Sequence, residues 1–213
     1  MLPKTSVNWQ VNADGTRSVA EAAKRVGAKM VYISTDYVFD GTNEGEYGVD
    51  ALTNLQNEYG KAKLAVEKAI KEILDDYYII RTSWVLGRYG KNFVYTMLRF
   101  AKDHDKLTVV NDQFGCPTWP RTLTEFMTYL VDHNQPFGIY QLSNKGSCSW
   151  YEFASEILKD QDVEVAPVDS SAYLAKAYRP HHSVMSLKKA EATGYEIVDW
   201  QTALDEFMGE FEE

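Results

Sequence analysis

Short apolar runs alternate with amphipathic helical stretches through the first half of the chain, and this alternation restricts the fold more than any other feature. TRSVAEAAKRVGAK sets Val19, Ala22, Ala23 and Val26 on one helical face, with Gly27 placed to end the helix. MVYIS, Met30 to Ser34, follows as a short buried strand. DGTNEGEYGVDALTN is polar and glycine-rich and reads as loop. The helix that begins near Glu58 brings Leu64, Val66, Ala69, Ile70 and Ile73 together. YYIIRTSWVLG is a second buried strand ending at Gly87, KNFVYTMLRFAK a helix directly after it, and LTVVNDQ a third strand. Strands separated by helices pair in parallel, because each helix carries the chain back to the edge it left. The expectation is an α/β fold with a parallel sheet and flanking helices.

Beyond residue 110 the pattern is more mixed. Residues from Thr122 to Val131 read as helix, GIYQLS as strand, VEVAPVD as strand, and WQTALDEFMGEF as an amphipathic closing helix. SWYEFASEILKD carries a capping box, Ser149 with Glu152 three positions on. This second part reads as a smaller lobe folded over the carboxyl edge of the sheet, where ligands commonly sit.

Composition removes several classes of function. With 213 residues, 45% of them hydrophobic, the chain can bury a sizeable core. A net charge of -9 argues against nucleic-acid binding through a basic surface. Cys116 and Cys148 stand far apart and form neither a CxxC pair nor a metal spacing, which suits a reduced, cytoplasmic protein. No apolar run is long enough for a membrane span, and MLPKTSVNWQ has no signal-peptide core. His181 and His182 are adjacent, a poor spacing for a metal, and none is expected.

Four stretches carry chemistry. In YISTDYVFDG, Ser34, Thr35, Asp36 and Tyr37 cluster where an apolar strand stops, facing the usual ligand crevice, although ordinary turn chemistry reads as well. In NEYGKAKLAVEKAI, Tyr59 and Lys63 lie one helical turn apart on one face. A cation beside a phenol favours the phenolate, and a tuned phenol can hand a proton to a carbonyl oxygen as hydride arrives at carbon. An exposed helix pair of no consequence has the same spacing. In WVLGRYGKNF a helix start with Arg88 and Lys91 nearby suits a phosphate, or is a capped surface turn. NDQFGCPTWPRT is an irregular loop able to hydrogen-bond a base or sugar, and Trp84, Trp119 and Trp150 are rings on which one could stack.

Together, ISTDYVFDG, EYGKAKLAVE and RTSWVLGRYGKNFV resemble the extended short-chain dehydrogenase/reductase superfamily, and within it the dTDP-4-dehydrorhamnose reductase family. The resemblance continues through VVNDQFGCPTW, YQLSNKGSCSWYEFA and RPHHSVMSL, from Val11 to the end of the chain. It implies a partial Rossmann-like sheet carrying the catalytic Tyr/Lys pair over 1–110, and a mainly substrate-binding lobe with closing helices over 111–213, the boundary interleaved. It implies NADPH-dependent, or NADH-dependent, reduction of dTDP-4-dehydro-L-rhamnose to dTDP-L-rhamnose, a precursor of cell-surface polysaccharide. Thr35 then hydrogen-bonds the substrate carbonyl region, Tyr59 protonates O4, and Lys63 holds the nicotinamide ribose and lowers the tyrosine pKa. Asp36, Tyr37 and Trp84 line the hexose. Asn92 and Phe93 meet the diphosphate region, Gln113, Pro117 and Thr118 border the thymidine side, and Arg179 is a further contact.

One departure accompanies this match. The family opens with a strand and a GxxGxxG turn whose glycines admit the cofactor pyrophosphate. Here Gly15 is the first glycine, and it lies in VNADGTRSVAEAA. The glycines at 41, 45 and 48 in GTNEGEYG are accompanied by Glu44 and Glu46 and read as loop. The sequence therefore predicts weak cofactor binding by this chain alone and a bare edge beside MVYIS, open to a homodimer partner or a complementing chain. Two readings stay open: the reductase, and a non-catalytic dTDP-sugar-binding or oligomerisation module derived from it.

Overall fold

The computed structural model describes residues 9–173 and 178–210. Residues 1–8, 174–177 and 211–213, which include the last position of the predicted closing helix at 211, lie outside them.

A three-stranded parallel sheet organises the first half. Its strands are β1 (Met30–Thr35), β2 (Tyr77–Thr82) and β5 (Gly138–Gln141), in the order β1-β2-β5. Met30 pairs with Tyr77, and Thr35 with Thr82. Helix α2 (Glu58–Ile73) covers one face, where Val66 and Ile70 meet Met30 and Ile79. Helix α4 (Pro120–Asp132) covers the other, where Leu123, Phe126 and Leu130 meet Tyr78, Ile80 and Tyr140. β2 is thus buried on both faces, which is why YYII shows no polar alternation. Each such side chain removed from water contributes about 1.5–3 kcal/mol. β1 is the outer strand, and Val31 and Ile33 on it are exposed.

The strand expected to run to Gly87 stops at Thr82. Trp84 adopts a left-handed backbone, with φ 43°, which no strand continues. The strand predicted from LTVVNDQ does not join the sheet. It is β3 (Lys106–Val110), and it pairs in parallel with β7 (Glu164–Val168). GIYQ supplies the third sheet strand instead, with Tyr78 against Gly138. Strand pairing therefore crosses residue 110 in both directions: periodicity identifies a strand but not its partner. A short antiparallel pair, β4 (Phe114–Gly115) with β6 (Cys148–Ser149), links the loop after β3 to helix α5 (Trp150–Ile157), which begins with the predicted capping box.

Helix α1 (Gly15–Val26) ends at Gly27, φ 65°, as predicted, but it packs by a different face. Ala20 is buried and Ala23 lies against the same cluster, whereas Val26 is 77% exposed and Val19 is exposed too. The small alanine face lets α1 approach α2 closely, and the valines turn outward. The remaining helices are α3 (Phe93–Ala101), α6 (Lys188–Glu191) and α7 (Trp200–Gly209). α3, α5 and α7 enclose a second core with β3, containing Met97, Leu107, Phe153, Trp200 and Phe207. No helix among the described residues is long and apolar enough to cross a membrane.

Candidate active site

The carboxyl end of β1 runs into a tight turn, Asp36–Val38, capped by Thr35, whose Oγ1 accepts from the Tyr37 N–H at 3.2 Å. Helix α2 starts beside this turn with Asn57 as its cap, Oδ1 accepting from the Gly60 N–H at 2.8 Å. Gly60 is what allows the contact. A Cβ there would stand 2.2 Å from the Tyr37 carbonyl oxygen. Helix start and strand end therefore touch backbone to backbone, and Tyr59 is delivered to Thr35.

The Tyr59 phenol is raised above its ordinary range, mainly by burial; a hydrogen bond with Thr35 lowers it and the Asp36 charge raises it. Its ring meets Tyr37 edge-on, with centroids 5.9 Å apart, and the residue keeps 43% exposure, so it faces outward at the rim. Lys63, one turn on, donates from Nζ to the Ile33 carbonyl at 2.7 Å and lies 4.6 Å from the Tyr32 ring centroid. Burial pushes its ammonium below the usual lysine range, and Glu67 pulls it back up. The sequence reading has Lys63 lowering the tyrosine pKa. Here the ammonium donates to a strand carbonyl, and the phenol is raised overall, burial outweighing the opposing effect of Thr35.

One cavity adjoins this group through Asp36 and Tyr37, and a second adjoins the first; Thr35, Tyr59 and Lys63 line neither. The smaller, about 240 Å³, is lined by Asp36, Tyr37, Trp84, Gln113, Trp150, Arg179, Pro180 and Ser183. Asp36 is 3% exposed, accepts from Thr35 Oγ1 at 3.0 Å through Oδ1, and has no hydrogen-bond partner on Oδ2 among the described residues. Burial raises its pKa to about 6, against the opposing pull of Ser183 and Thr35. A buried acceptor without a donor is costly unless a ligand supplies one.

Trp84 stacks on Trp150 with centroids 3.5 Å apart and planes 9° from parallel. Gly115 permits this, since a Cβ there would lie 2.4 Å from the Trp84 ring. The left-handed backbone at a tryptophan costs about 1–2 kcal/mol and persists where surrounding contacts hold it.

The larger cavity, about 620 Å³, shares Gln113, Trp150 and Arg179 with the smaller one. It runs between α3, which contributes Phe93, Met97 and Phe100, and β3, with Tyr173 at its edge. Tyr173 donates to the Thr108 carbonyl at 2.8 Å. Most of this lining was not singled out by sequence reasoning. Its signal was present: Phe93, Met97, Phe100 and His104 recur at helical spacing along α3 and the turn after it.

Of the residues predicted for substrate, Asp36, Tyr37, Trp84, Gln113, Arg179 and Phe93 line a cavity. Asn92, Pro117 and Thr118 do not. Asn92 caps α3, its Oδ1 accepting from the Tyr95 N–H at 3.0 Å and its Nδ2 donating to the Gly87 carbonyl at 2.6 Å. Thr118 is fully buried and accepts from Thr82 Oγ1 at 3.2 Å, and the Pro117 carbonyl accepts from the Asn144 N–H at 3.3 Å. These three shape the loops behind the site. Arg88 and Lys91 are exposed and line neither cavity, and Trp119 belongs to the second core. Cys116 is buried, with its thiol pushed up to about 11, which leaves it unreactive. Among the described residues no cluster of His, Cys, Asp or Glu is arranged to hold a metal.

Comparison with known proteins accords with this geometry. The family model of the RmlD substrate binding domain matches residues 4–213. The chain belongs to the dTDP-4-dehydrorhamnose reductase family. It is 42% identical over 204 residues to the spore coat polysaccharide biosynthesis protein SpsK of Bacillus subtilis, covering 95% of this chain and 71% of that protein. The crystal structure of a dTDP-4-dehydrorhamnose reductase from Clostridium acetobutylicum superposes with a TM-score of 0.95 at 37% identity, covering 99% of this chain and 75% of that one. That of the Bacillus anthracis reductase in complex with NADP superposes with a TM-score of 0.89 at 40% identity, covering 93% and 72%. The α/β architecture with its helix-flanked parallel sheet is the one these family members share.

Proposed function

We propose that the site performs the proton-transfer and sugar-nucleotide part of a nicotinamide-dependent reduction, converting dTDP-4-dehydro-L-rhamnose to dTDP-L-rhamnose. The observation that carries this reading is the meeting of Tyr59 with Thr35 and with the ring of Tyr37, which lines the smaller cavity beside Asp36. Like an ordinary tyrosine the Tyr59 phenol is protonated at neutral pH, and burial keeps it so, which leaves it a proton to give. It delivers that proton to the sugar O4, and Thr35 holds the same oxygen by turning its hydroxyl away from Asp36.

The chain's residues fit the nicotinamide ribose end of the cofactor: the Lys63 ammonium carries donors, and Tyr59, one helical turn away on the same face, carries a hydroxyl. The cofactor supplies hydride to the carbonyl carbon when bound. Asp36 Oδ2, buried and unpartnered among the described residues, accepts from a hexose hydroxyl in the smaller cavity. Arg179, exposed where the two cavities meet, is suited to a diphosphate. The larger cavity lies in the range of small-molecule sites and takes the nucleoside.

Titration of dTDP by calorimetry and of NADPH by fluorescence tests the reading. Binding of both, with turnover lost in Tyr59→Phe, is the expected result. Binding of dTDP without NADPH favours the sugar-binding module, and binding of neither refutes the reductase and the sugar-binding module alike.

A further inference from the structure

Behind Thr35, Tyr59 and Lys63 lies a buried ion pair that the proton transfer does not use. Glu67 is 1% exposed and Arg81 is 3% exposed. Arg81 donates from Nη2 to Glu67 Oε2 at 2.7 Å and from Nε to Oε1 at 3.0 Å. Ser34 Oγ donates to the same Oε1 at 2.5 Å. The remaining guanidinium reach goes to the Val49 carbonyl at 3.1 Å, with the Phe39 ring 5.4 Å away. One carboxylate on α2 therefore grips β1 through Ser34 and β2 through Arg81.

Stability alone is a poor explanation for this arrangement. Apolar side chains of similar volume replace a buried ion pair with neutral or favourable effect in many proteins. A two-pronged Arg–carboxylate contact adds a fixed geometry, which apolar packing does not impose. The placement gives that geometry a use. Tyr59, Lys63 and Glu67 are spaced four residues apart along α2 and share one face, and Ser34 immediately precedes Thr35. A helix anchored at Glu67 against Ser34 has its slide and rotation set relative to Thr35, while Asn57 and Gly60 hold only its first turn.

We propose that Glu67 is a positioning residue for this site, setting the height and rotation at which α2 presents Tyr59 and Lys63 to Thr35. The inference rests on the reading of those three residues as the proton-transfer group. A second effect follows from the same placement. Lys63 faces the Tyr32 ring and the Ile33 carbonyl on β1 and is acted on by Glu67 along its own helix. Glu67 in turn meets Arg81 from β2 and Ser34 from β1, and the Tyr32 phenol nearby is raised mainly by burial, with the charges of Tyr59 and Glu67 adding to it. Removing the Glu67 charge takes away the influence that opposes desolvation of Lys63.

The test uses the whole chain with carbon-13 labels on tyrosine and lysine side chains. Glu67→Gln keeps the shape and removes the charge. The expected result is weakened nuclear Overhauser contacts between the Tyr59 ring and the Thr35 methyl, together with a lower Lys63 titration midpoint. Glu67→Gln leaves Arg81 buried without a charged partner, so Glu67→Gln with Arg81→Met is read as well. It removes both charges, and it is expected to lose the same Tyr59–Thr35 contacts while staying folded. Glu67→Asp keeps the charge but shortens the reach, and is expected to hold the Lys63 midpoint nearer the parent value while still weakening those contacts. Tyr59–Thr35 contacts unchanged in the folded double variant overturn the proposal, whatever the Lys63 midpoint does. These readouts need neither ligand nor turnover, so a failure of dTDP or NADPH to bind is seen separately.

Discussion

Gly60→Ala tests how the site is assembled, because helix propensity and the tertiary contact predict opposite signs. In a helix with open space, alanine is favoured over glycine by about 1 kcal/mol. At position 60 the added Cβ would stand 2.2 Å from the Tyr37 carbonyl oxygen and 3.1 Å from its carbonyl carbon. Ordinary contact begins near 3.4 Å, so α2 and the Asp36–Val38 turn must separate by about 1 Å. Backbone atoms cannot rotate away as a side chain can. Overpacking of this kind costs about 1–3 kcal/mol, which exceeds the propensity gain across most of its range. Gly60→Ala is therefore expected to lower the free energy of unfolding by up to about 2 kcal/mol in urea denaturation. Gly209→Ala is the control, since its Cβ would meet nothing within 4 Å. The separation also acts on function, because a 1 Å misplacement of reacting groups costs about 10²-fold in rate. A Gly60→Ala protein more stable than the parent by about 1 kcal/mol would refute the backbone contact, and with it the account of how Tyr59 reaches Thr35.

Other outcomes follow from single residues. Asp36 has a folded-state pKa of about 6 against an ordinary 3.8, so ionising it opposes folding: its contribution is fully present below the unfolded value and is lost as pH rises through about 6. Asp36→Asn should accordingly be more stable than the parent by about 3 kcal/mol at pH 7.5, with the difference fading towards pH 4; a difference independent of pH contradicts the buried carboxyl. Arg81→Ala leaves the Glu67 charge buried and should cost about 3–5 kcal/mol in chemical denaturation, whereas Glu67→Gln with Arg81→Met should cost much less; equal losses would argue against the ion pair. Gly115→Ala should displace Trp84 from Trp150 and reduce the near-ultraviolet dichroism of the stacked pair, and an unchanged spectrum argues against that contact. Ser149→Ala removes a cap that accepts from the Glu152 N–H at 3.1 Å and a donor to Asn111 Oδ1 at 2.7 Å, and should lower stability by about 1–2 kcal/mol in thermal or urea unfolding.

Much of this molecule was legible from local pattern. The helix from Glu58, the apolar runs of β1 and β2, the Ser149 capping box and the left-handed Gly27 follow from periodicity and from backbone and capping chemistry that act over a few residues. The same holds for the order ISTDYVFDG then EYGKAKLAVE, which brought Thr35, Tyr59 and Lys63 forward as a group. Tertiary structure decided what depends on distant partners. LTVV and GIYQ are both good strands, yet only GIYQ pairs with β2, and β3 finds its partner in β7. Val19 and Val26 satisfy the helical pattern of a core face, yet the alanines pack and the valines face water. Asn92 caps α3, and Thr118 and Pro117 bond across loops, while Ser183, Met97 and Phe100 come to line cavities beside Trp84, Trp150 and Phe93, which the sequence had offered as candidates. The physical reason is the range of the forces: capping, propensity and amphipathic spacing are settled within a turn or two of backbone, whereas register, cavity lining and the burial of Glu67 against Arg81 are settled only when segments far apart in sequence exclude water together.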